Sequence, residues 1–183
     1  MTDRRTPLPD PAAPDALEAG LSLGSNLGDR RATLCEARRR LAAVDGLRVV
    51  ACSPLYETEP VGVKAEYGAL RFLNAVMILA CTLTPAALSA HVHRIEDELG
   101  RRRGTDRYAP RPIDIDILYI GSTVLRDDDL TVPHPQWTAR RFVVQPLADV
   151  RPDLVLPDQA LTCRDVLAAL PLEPGVDLFA REW

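Results

Sequence analysis

The apolar run from Phe72 to Thr82 is the sequence feature that most restricts the fold of this chain. The run is nearly continuous, which is typical of a central strand buried on both faces. With 183 residues the chain has room for one hydrophobic core and little room for a second. We therefore predict a single domain with this strand near its centre.

The segments around this run alternate between strand and helix patterns. Asp29 and Thr84 are suited to cap helices, and Pro85 suits the first position of the second helix. The predicted order is strand, helix, strand, strand, helix, strand over residues 21–24, 29–46, 47–58, 72–82, 84–100 and 113–120. Short peripheral helices are predicted within residues 137–150 and 163–170. The order is typical of an α+β, ferredoxin-like split βαβ fold, with helices flanking an antiparallel sheet.

The polar, proline-rich N-terminus is predicted to be flexible. Residues 1–18 show no hydrophobic periodicity, so we assign them to a tail and residues 19–183 to the folded domain. The tail lacks the apolar core of a secretory signal. No apolar run approaches the roughly 20 residues of a membrane-spanning helix. We therefore expect a cytoplasmic protein without a membrane partner. We also expect a monomer.

Composition and charge exclude several classes of partner. The formal net charge of −4 argues against nucleic-acid binding through the whole surface. The four cysteines are scattered singly, so neither a zinc site nor a disulfide framework is predicted. The positive charge is concentrated, because five arginines lie between Arg101 and Arg111. An acidic protein with one dense arginine segment is typical of a receptor for a small polyanion.

The segment Ile113-Asp114-Ile115-Asp116-Ile117 indicates a metal site. In a strand the isoleucines point into the core while Asp114 and Asp116 share the other face, with Cα atoms roughly 6.6–6.8 Å apart. Two carboxylates at this span can converge on two cations about 3.5–4 Å apart. Few hard oxygen ligands suit Mg²⁺, which keeps waters and takes phosphate oxygens from its substrate. The alternative is an exposed strand face with merely solvated aspartates.

The arginine segment, residues 100–111, comes directly before these aspartates. Guanidinium groups bind phosphate oxygens in a bidentate fork and stay charged at physiological pH. Tyr108 could stack on a flat ring or on an arginine. Cations and anions this close together favour a polyphosphate held between metal and arginines. A solvated basic turn or an RNA-binding patch is the alternative, and no P-loop motif is present.

Five short motifs occur in an order and spacing that resembles the 6-hydroxymethyl-7,8-dihydropterin pyrophosphokinases of folate biosynthesis. The resemblance covers nearly all of Leu21 to Pro157, and it is carried by the five together. The motifs are Leu23-Gly24-Ser25-Asn26-Leu27, Ser53-Pro54-Leu55-Tyr56-Glu57-Thr58, Phe72-Leu73-Asn74-Ala75-Val76, the arginine segment with Asp114 and Asp116, and Val132-Pro133-His134-Pro135.

The resemblance implies a ferredoxin-like enzyme that transfers diphosphate from ATP, as co-substrate, to the hydroxymethyl group of the pterin. It implies two Mg²⁺ ions on Asp114 and Asp116, and a catalytic set of these aspartates with Arg101 and Arg111. The implied ATP-binding residues are His93, Glu96, Arg103, Arg107, Tyr108, Ile117, Thr131, His134 and Arg140. The implied pterin-binding residues are Thr58, Pro60, Val61, Phe72, Asn74, Tyr108 and Phe142. The sequence departs from the family at Tyr108-Ala109, where Trp-Gly is usual, and at His93, which replaces a glutamine.

Asn74 also suggests an acceptor pocket on physical grounds. An amide in an otherwise apolar strand needs hydrogen-bond partners, because leaving it unpaired costs about 1–3 kcal/mol. The edge of a pterin offers such partners, and Phe72 lies on the same strand face two residues away. A core asparagine satisfied by neighbouring main chain, beside an ordinary core phenylalanine, fits the pattern as well.

Two other functions remain open at this level. A nucleotidyltransferase also carries Asp-x-Asp on a strand, but its Gly-Ser lies shortly before the aspartates, whereas Gly24-Ser25 lies far upstream. An RNA-binding module would use the arginine segment, against the acidic net charge. No strong general base stands out, and Asp116 or a metal-bound water is open for that role.

Overall fold

The computed structural model describes residues 15–62, 64–102, 106 and 109–183 of the chain. Within these ranges it contains eight strands: β1 Leu17–Ser25, β2 Leu47–Cys52, β3 Leu55–Thr58, β4 Phe72–Cys81, β5 Asp114–Ile120, β6 Leu125–Arg126, β7 Thr131–Val132 and β8 Val176–Ala180. The α-helices are α1 Arg30–Ala42, α2 Pro85–Glu98, α3 Arg141–Val150 and α4 Cys163–Ala169. None of the helices in the described ranges is both long enough and apolar enough to cross a bilayer.

Antiparallel pairing joins six of the described strands into one sheet with the order β5-β1-β4-β3-β8, and β2 also pairs with β4. Because β2 and β3 follow each other along the same edge of β4, together they fill the place of one strand. With β2 and β3 counted as one strand, the four strands along the chain are β1, β2–β3, β4 and β5. Across the sheet they lie in the order fourth, first, third, second. This is the ferredoxin-like arrangement, so the predicted α+β class with helices flanking an antiparallel sheet is confirmed.

The predicted strand over residues 47–58 is divided at Ser53 and Pro54. The Ser53 N–H donates to the Val76 carbonyl at 2.9 Å, and the Ser53 hydroxyl accepts the Val76 N–H at 2.9 Å. The serine side chain thus supplies a ladder bond just before Pro54, which has no N–H to donate. The division therefore leaves both strands attached to β4.

Hydrophobic clusters cover the two faces of the sheet. The first packs α1 and α2 against residues such as Leu23 and Ile115, and the second packs α3 and α4 against residues such as Val76 and Leu118. The strand β4 is therefore buried on both faces, as its apolar run predicts. On the second face, the starts of β4 and β5, just before Val76 and Leu118, carry polar residues. The candidate site lies at these two strand starts.

Several boundaries differ from the predictions. Strand β1 begins at Leu17, four residues before the predicted start, and residues 1–14 of the predicted tail lie outside the described ranges. The predicted helix over 137–150 is a 3-10 turn at Trp137–Ala139 followed by α3. Strand β8 was not predicted, because it is short and its Asp177, Leu178 and Phe179 are exposed.

We expect Gly20→Ala to destabilise the fold, because a Cβ at this position would lie 2.3 Å from Cε1 of Tyr119. Tyr119 is only 2% exposed and its hydroxyl donates to Glu18 at 2.7 Å, so the ring cannot move aside freely. The free energy of unfolding, measured by urea denaturation, should fall by about 1–3 kcal/mol. Gly175→Ala, where the nearest atom is 3.9 Å away, is the matched control and should change little. An unchanged Gly20→Ala variant would contradict this packing.

Candidate active site

A row of residues across three strands connects the two halves of the candidate site. Gly24 of β1 pairs with Asp114 of β5 on one side and with Asn74 of β4 on the other. Residues directly opposite each other in a sheet point to the same face. A Cβ on Gly24 would lie 3.1 Å from Asn74 Oδ1 and 3.7 Å from Phe72. Glycine therefore leaves the backbone bare between the carboxylate and the amide, so a flat ligand group can approach it closely.

Asp114 lies in a dense charge network with two predicted catalytic arginines. Arg101 donates to Asp114 Oδ1 at 2.6 Å, and Arg111 Nε lies 3.3 Å from Asp114 Oδ2. Arg101 also donates to Glu96, a carboxylate that is 1% exposed and that accepts the Ile115 N–H at 2.8 Å. Burial alone would lower the pKa of Arg101, but the Asp114 and Glu96 carboxylates outweigh it and raise that pKa. Arg101 is therefore held between helix α2 and strand β5.

Asp116 lies one row further along the same face, opposite Ser22. Its Oδ2 is 3.4 Å from the Arg140 guanidinium and 3.8 Å from His134 Nε2. Burial and the neighbouring Asp114 carboxylate raise the pKa of Asp116, although His134 and Arg140 oppose them. Burial lowers the pKa of His134. The two aspartates therefore repel each other in a partly desolvated position, which is the electrostatic setting of a cation site.

The end of the arginine segment is fixed by Asn26, which the sequence analysis did not predict as a site residue. Asn26 is 5% exposed, and its Oδ1 accepts the Arg111 N–H at 2.8 Å. The Asn26 N–H donates to the Arg111 carbonyl at 3.3 Å. Asn26 belongs to the Leu23–Leu27 motif, so the motif itself was the available signal. The paired bonds place Arg111 beside Asp114.

The predicted acceptor side lies at the other end of the row. Asn74 is 4% exposed and donates from Nδ2 to the Thr58 hydroxyl at 2.8 Å, so the amide has a side-chain partner. Phe72 pairs with Thr58 across β3 and β4. Phe142 is half-buried at the start of α3, and the Arg140 guanidinium carbon lies 5.8 Å from its ring centroid. Arg140 therefore contacts both Asp116 and Phe142.

Contacts in the structure connect the other predicted site residues less clearly to the candidate site. Ile117 is 6% exposed and packs in the first hydrophobic cluster, so its side chain points to the face opposite the aspartates. Glu96 is buried against Arg101 and β5, and His93 is exposed on α2. After β3, Pro60 is half-buried and Val61 is 54% exposed, and Thr131 is half-buried in β7. Arg103, Arg107 and Tyr108 lie outside the described residues.

The residues present suit a cation that shares its ligands with a substrate. Among the described residues, no group of three or more His, Cys, Asp or Glu side chains could hold a metal ion. Asp114 and Asp116 nevertheless offer hard oxygens on one face, with side chains 24% and 37% exposed. Mg²⁺ is commonly bound by one or two carboxylates plus phosphates and waters. The donor set therefore fits Mg²⁺ when a polyphosphate is present.

Comparison with known proteins gives a consistent result. The sequence model of the 7,8-dihydro-6-hydroxymethylpterin-pyrophosphokinase family matches residues 20–152. The chain is 43% identical over 152 residues to a 2-amino-4-hydroxy-6-hydroxymethyldihydropteridine pyrophosphokinase of Methylorubrum extorquens, covering 83% of this chain and 92% of the relative. It is 40% identical over 153 residues to the enzyme of that name from Pseudomonas aeruginosa, covering 84% of this chain and 91% of the relative.

A solved structure supports the fold independently. The Plasmodium falciparum HPPK-DHPS triple mutant with pteroate is similar with a TM-score of 0.65 and 16% identity, covering 84% of this chain. The chain spans 43% of that larger protein, so the likeness concerns the fold of one part of it. With the family match over residues 20–152 and the two bacterial relatives, the chain belongs to the 7,8-dihydro-6-hydroxymethylpterin-pyrophosphokinase family.

Proposed function

We propose that this protein transfers the diphosphate of ATP to the hydroxymethyl group of 6-hydroxymethyl-7,8-dihydropterin, a step of tetrahydrofolate biosynthesis. The observation that carries the proposal is the row Asp114–Gly24–Asn74. It has a carboxylate and arginine cluster suited to a metal-bound polyphosphate at one end, and an amide suited to a heterocycle edge at the other. Bare backbone separates the two ends, which suits two substrates that must meet.

In the proposed reaction, the pterin hydroxymethyl oxygen forms a bond to the β-phosphorus of ATP. The bond from that phosphorus to the oxygen bridging the α-phosphorus breaks, and AMP leaves with the bridging oxygen. The hydroxyl proton is lost to a base that we do not assign. Negative charge shifts toward the departing AMP, so preorganised cations that face it lower the barrier.

Asp114 and Asp116 would hold Mg²⁺, and we propose two ions, as the resemblance implies. When bound, Mg²⁺ neutralises phosphate charge and orients the phosphates for in-line displacement. The chain's own residues prepare this position. Asp114 and Asp116 are fixed by the pairing of β5 with β1, and Arg140 and His134 flank the second carboxylate.

Arg101 and Arg111 are suited to bind the transferring group and the leaving phosphate. Glu96 keeps Arg101 in place through a carboxylate that faces away from solvent. Arg101 can therefore give up its bond to Asp114 and remain positioned. We propose that Glu96 acts on ATP through Arg101, with His134, Thr131, Arg140, His93 and the Arg103, Arg107 and Tyr108 segment contributing to the nucleotide site.

Asn74 and Thr58 are proposed to recognise the pterin edge, with Phe72 and Phe142 against its ring and Tyr108, Pro60 and Val61 bordering it. We also propose that the enzyme is a monomer, and that it acts in the cytoplasm and without nucleic acid.

The direct test is incubation of the protein with ATP, Mg²⁺ and the hydroxymethyl-dihydropterin, with mass spectrometry of the products. We expect AMP and the pterin diphosphate in equal amounts, and no AMP without the pterin. Release of pyrophosphate with a nucleotidylated pterin would instead indicate a nucleotidyltransferase. Chelation of the metal with excess EDTA should stop the reaction.

Replacing the aspartates tests the cation site. Asp114→Asn and Asp116→Asn keep shape and remove charge, so each should lower turnover by at least about 10²-fold, because each removes a ligand to the charge-neutralising metal. Mn²⁺ binding in the presence of an ATP analogue, followed by electron paramagnetic resonance, should weaken in parallel. Asp158→Asn, an exposed aspartate paired with Arg126 at 3.2 Å, is the control. Normal turnover in either site variant would refute the two-carboxylate assignment.

Arginine replacements separate stabilisation of the transition state from plain phosphate binding. Arg101→Ala and Arg111→Ala should each slow single-turnover chemistry by about 10²–10³-fold, while the affinity for a non-hydrolysable ATP analogue falls far less. Lysine at either position should restore the rate only in part, because it keeps the positive charge but loses the bidentate hydrogen bonding of the guanidinium. Rapid-quench kinetics and calorimetry supply the two quantities, and thermal unfolding checks that each variant is folded. Equal losses of rate and affinity would assign these arginines to binding alone.

A further inference from the structure

Strand β8 turns the short strand β3 into an interior strand. The four residues of β3 pair with β8 along one edge, including Thr58 with Val176 and Tyr56 with Leu178. The other edge pairs with β4 through Tyr56, Glu57 and Thr58. Without β8, one edge of β3 would present unpaired N–H and C=O groups. So short a strand depends on both neighbours for a fixed position.

The segment of residues 172–183, which we call the 172–183 arm, is anchored at Trp183. The Trp183 indole N–H donates to the Ser53 carbonyl at 2.8 Å, just before β3 begins. The Arg38 guanidinium of α1 lies 5.7 Å from the indole ring centroid and also donates to the Trp183 carbonyl. A second arginine of α1, Arg31, donates to the Glu182 carbonyl at 3.3 Å. The arm therefore attaches both to α1 and to the link between β2 and β3.

The sheet order separates the arm from the aspartates. Three strand spacings lie between β3 and β5, a distance of roughly 14–15 Å at the usual spacing of about 4.8 Å. Thr58 lies on β3 and accepts the hydrogen bond that orients Asn74. A shift of β3 would therefore reach Thr58 and Asn74 well before it reached Asp114 or Asp116. The arm also lies beyond residues 20–152, which the family model matches.

We propose that the 172–183 arm positions the acceptor side of the site, with Trp183 as its anchoring residue. This inference rests on the proposed function in assigning Asn74 and Thr58 to the pterin. Trp183 acts through Ser53 and β3, so it is a positioning residue and does not touch the substrate. Its loss should weaken recognition of the acceptor selectively and leave the ATP side intact.

Calorimetry on the full chain tests this selectivity with the pterin and with a non-hydrolysable ATP analogue. Trp183→Ala should raise the Kd for the pterin about three- to tenfold, the effect of one misplaced neutral hydrogen bond. The Kd for the ATP analogue, measured without pterin, should stay within about twofold. Trp183→Phe keeps a ring beside Arg38 and loses the indole N–H, so its effect should be smaller. Asn74→Ala provides the reference for direct loss of an acceptor contact.

Leu83→Ala is the control for general loosening of the core. Leu83 packs against the same hydrophobic cluster as Trp183, but it lies beyond the end of β4 farthest from Asn74. It should leave both Kd values within about twofold of wild type. Similar losses for both ligands in Trp183→Ala, or an unchanged Kd for the pterin in a folded variant, would overturn the proposal.

Amide hydrogen exchange of β3 gives a readout that needs no ligand. Trp183→Ala should speed exchange in residues 55–58 more than in β1 or β5, whereas Leu83→Ala should not. If the wild-type protein binds no pterin, the proposed function fails, and the exchange of β3 still decides whether Trp183 anchors that strand. Unchanged exchange of β3 in Trp183→Ala would show that the arm does not hold it.

Discussion

The position of β1 between β4 and β5 is the constraint on which the candidate site depends. Its register brings Asp114, Gly24 and Asn74 into one row, although these residues come from three distant parts of the chain. A shift of one residue in either pairing would turn the polar side chains to the opposite face and the apolar ones out of the core. Burial of Leu21 and Leu23 between the sheet and its helices opposes such a shift. The hydrophobic core thereby also sets the geometry of the polar face.

Charge balance is the second condition that the site satisfies. Three carboxylates, Glu96, Asp114 and Asp116, lie beside three guanidinium groups, Arg101, Arg111 and Arg140. Partly buried charges cost several kcal/mol when they are unpaired, so this pairing is needed for the strand ends to fold together. The side chains of Asp114 and Asp116 are 24% and 37% exposed, whereas Glu96 is 1% exposed. The site thus combines one ion pair with a fully buried carboxylate and several that are more accessible to solvent.

Much of this architecture could be predicted from local patterns. The apolar run of β4 indicated a strand buried on both faces. Asp29 and Thr84 cap α1 and α2 as expected, accepting N–H groups at 3.0 and 3.2 Å. The alternation in Ile113–Ile117 correctly put the two aspartates on the sheet face opposite the first hydrophobic cluster, which contains the isoleucines. Local patterns carry this information because periodicity and capping depend on neighbours along the chain.

Features that depend on distant partners could not be predicted in this way. The sequence of β8 lacks a buried periodicity, and only its pairing with β3 makes it a strand. Glu96 contacts a guanidinium and a main-chain N–H from β5, and no spacing in the sequence reveals either contact. Ile117 likewise needed the sheet to show that its side chain lies away from the aspartates. The motif resemblance supplied the candidate site residues where physical pattern alone left alternatives open.

The buried bond between Glu96 and Arg101 also restricts how this sequence can evolve. Loss of Arg101 would remove the guanidinium partner of a buried carboxylate, and loss of Glu96 would remove a carboxylate that holds Arg101 beside Asp114. Either single change would break the Glu96–Arg101 ion pair, so we expect the two positions not to change independently. Replacement of the pair would require two substitutions that arise together, or an earlier substitution elsewhere that makes the first of the two tolerable. Inheritance of this pair as a unit is the expected consequence.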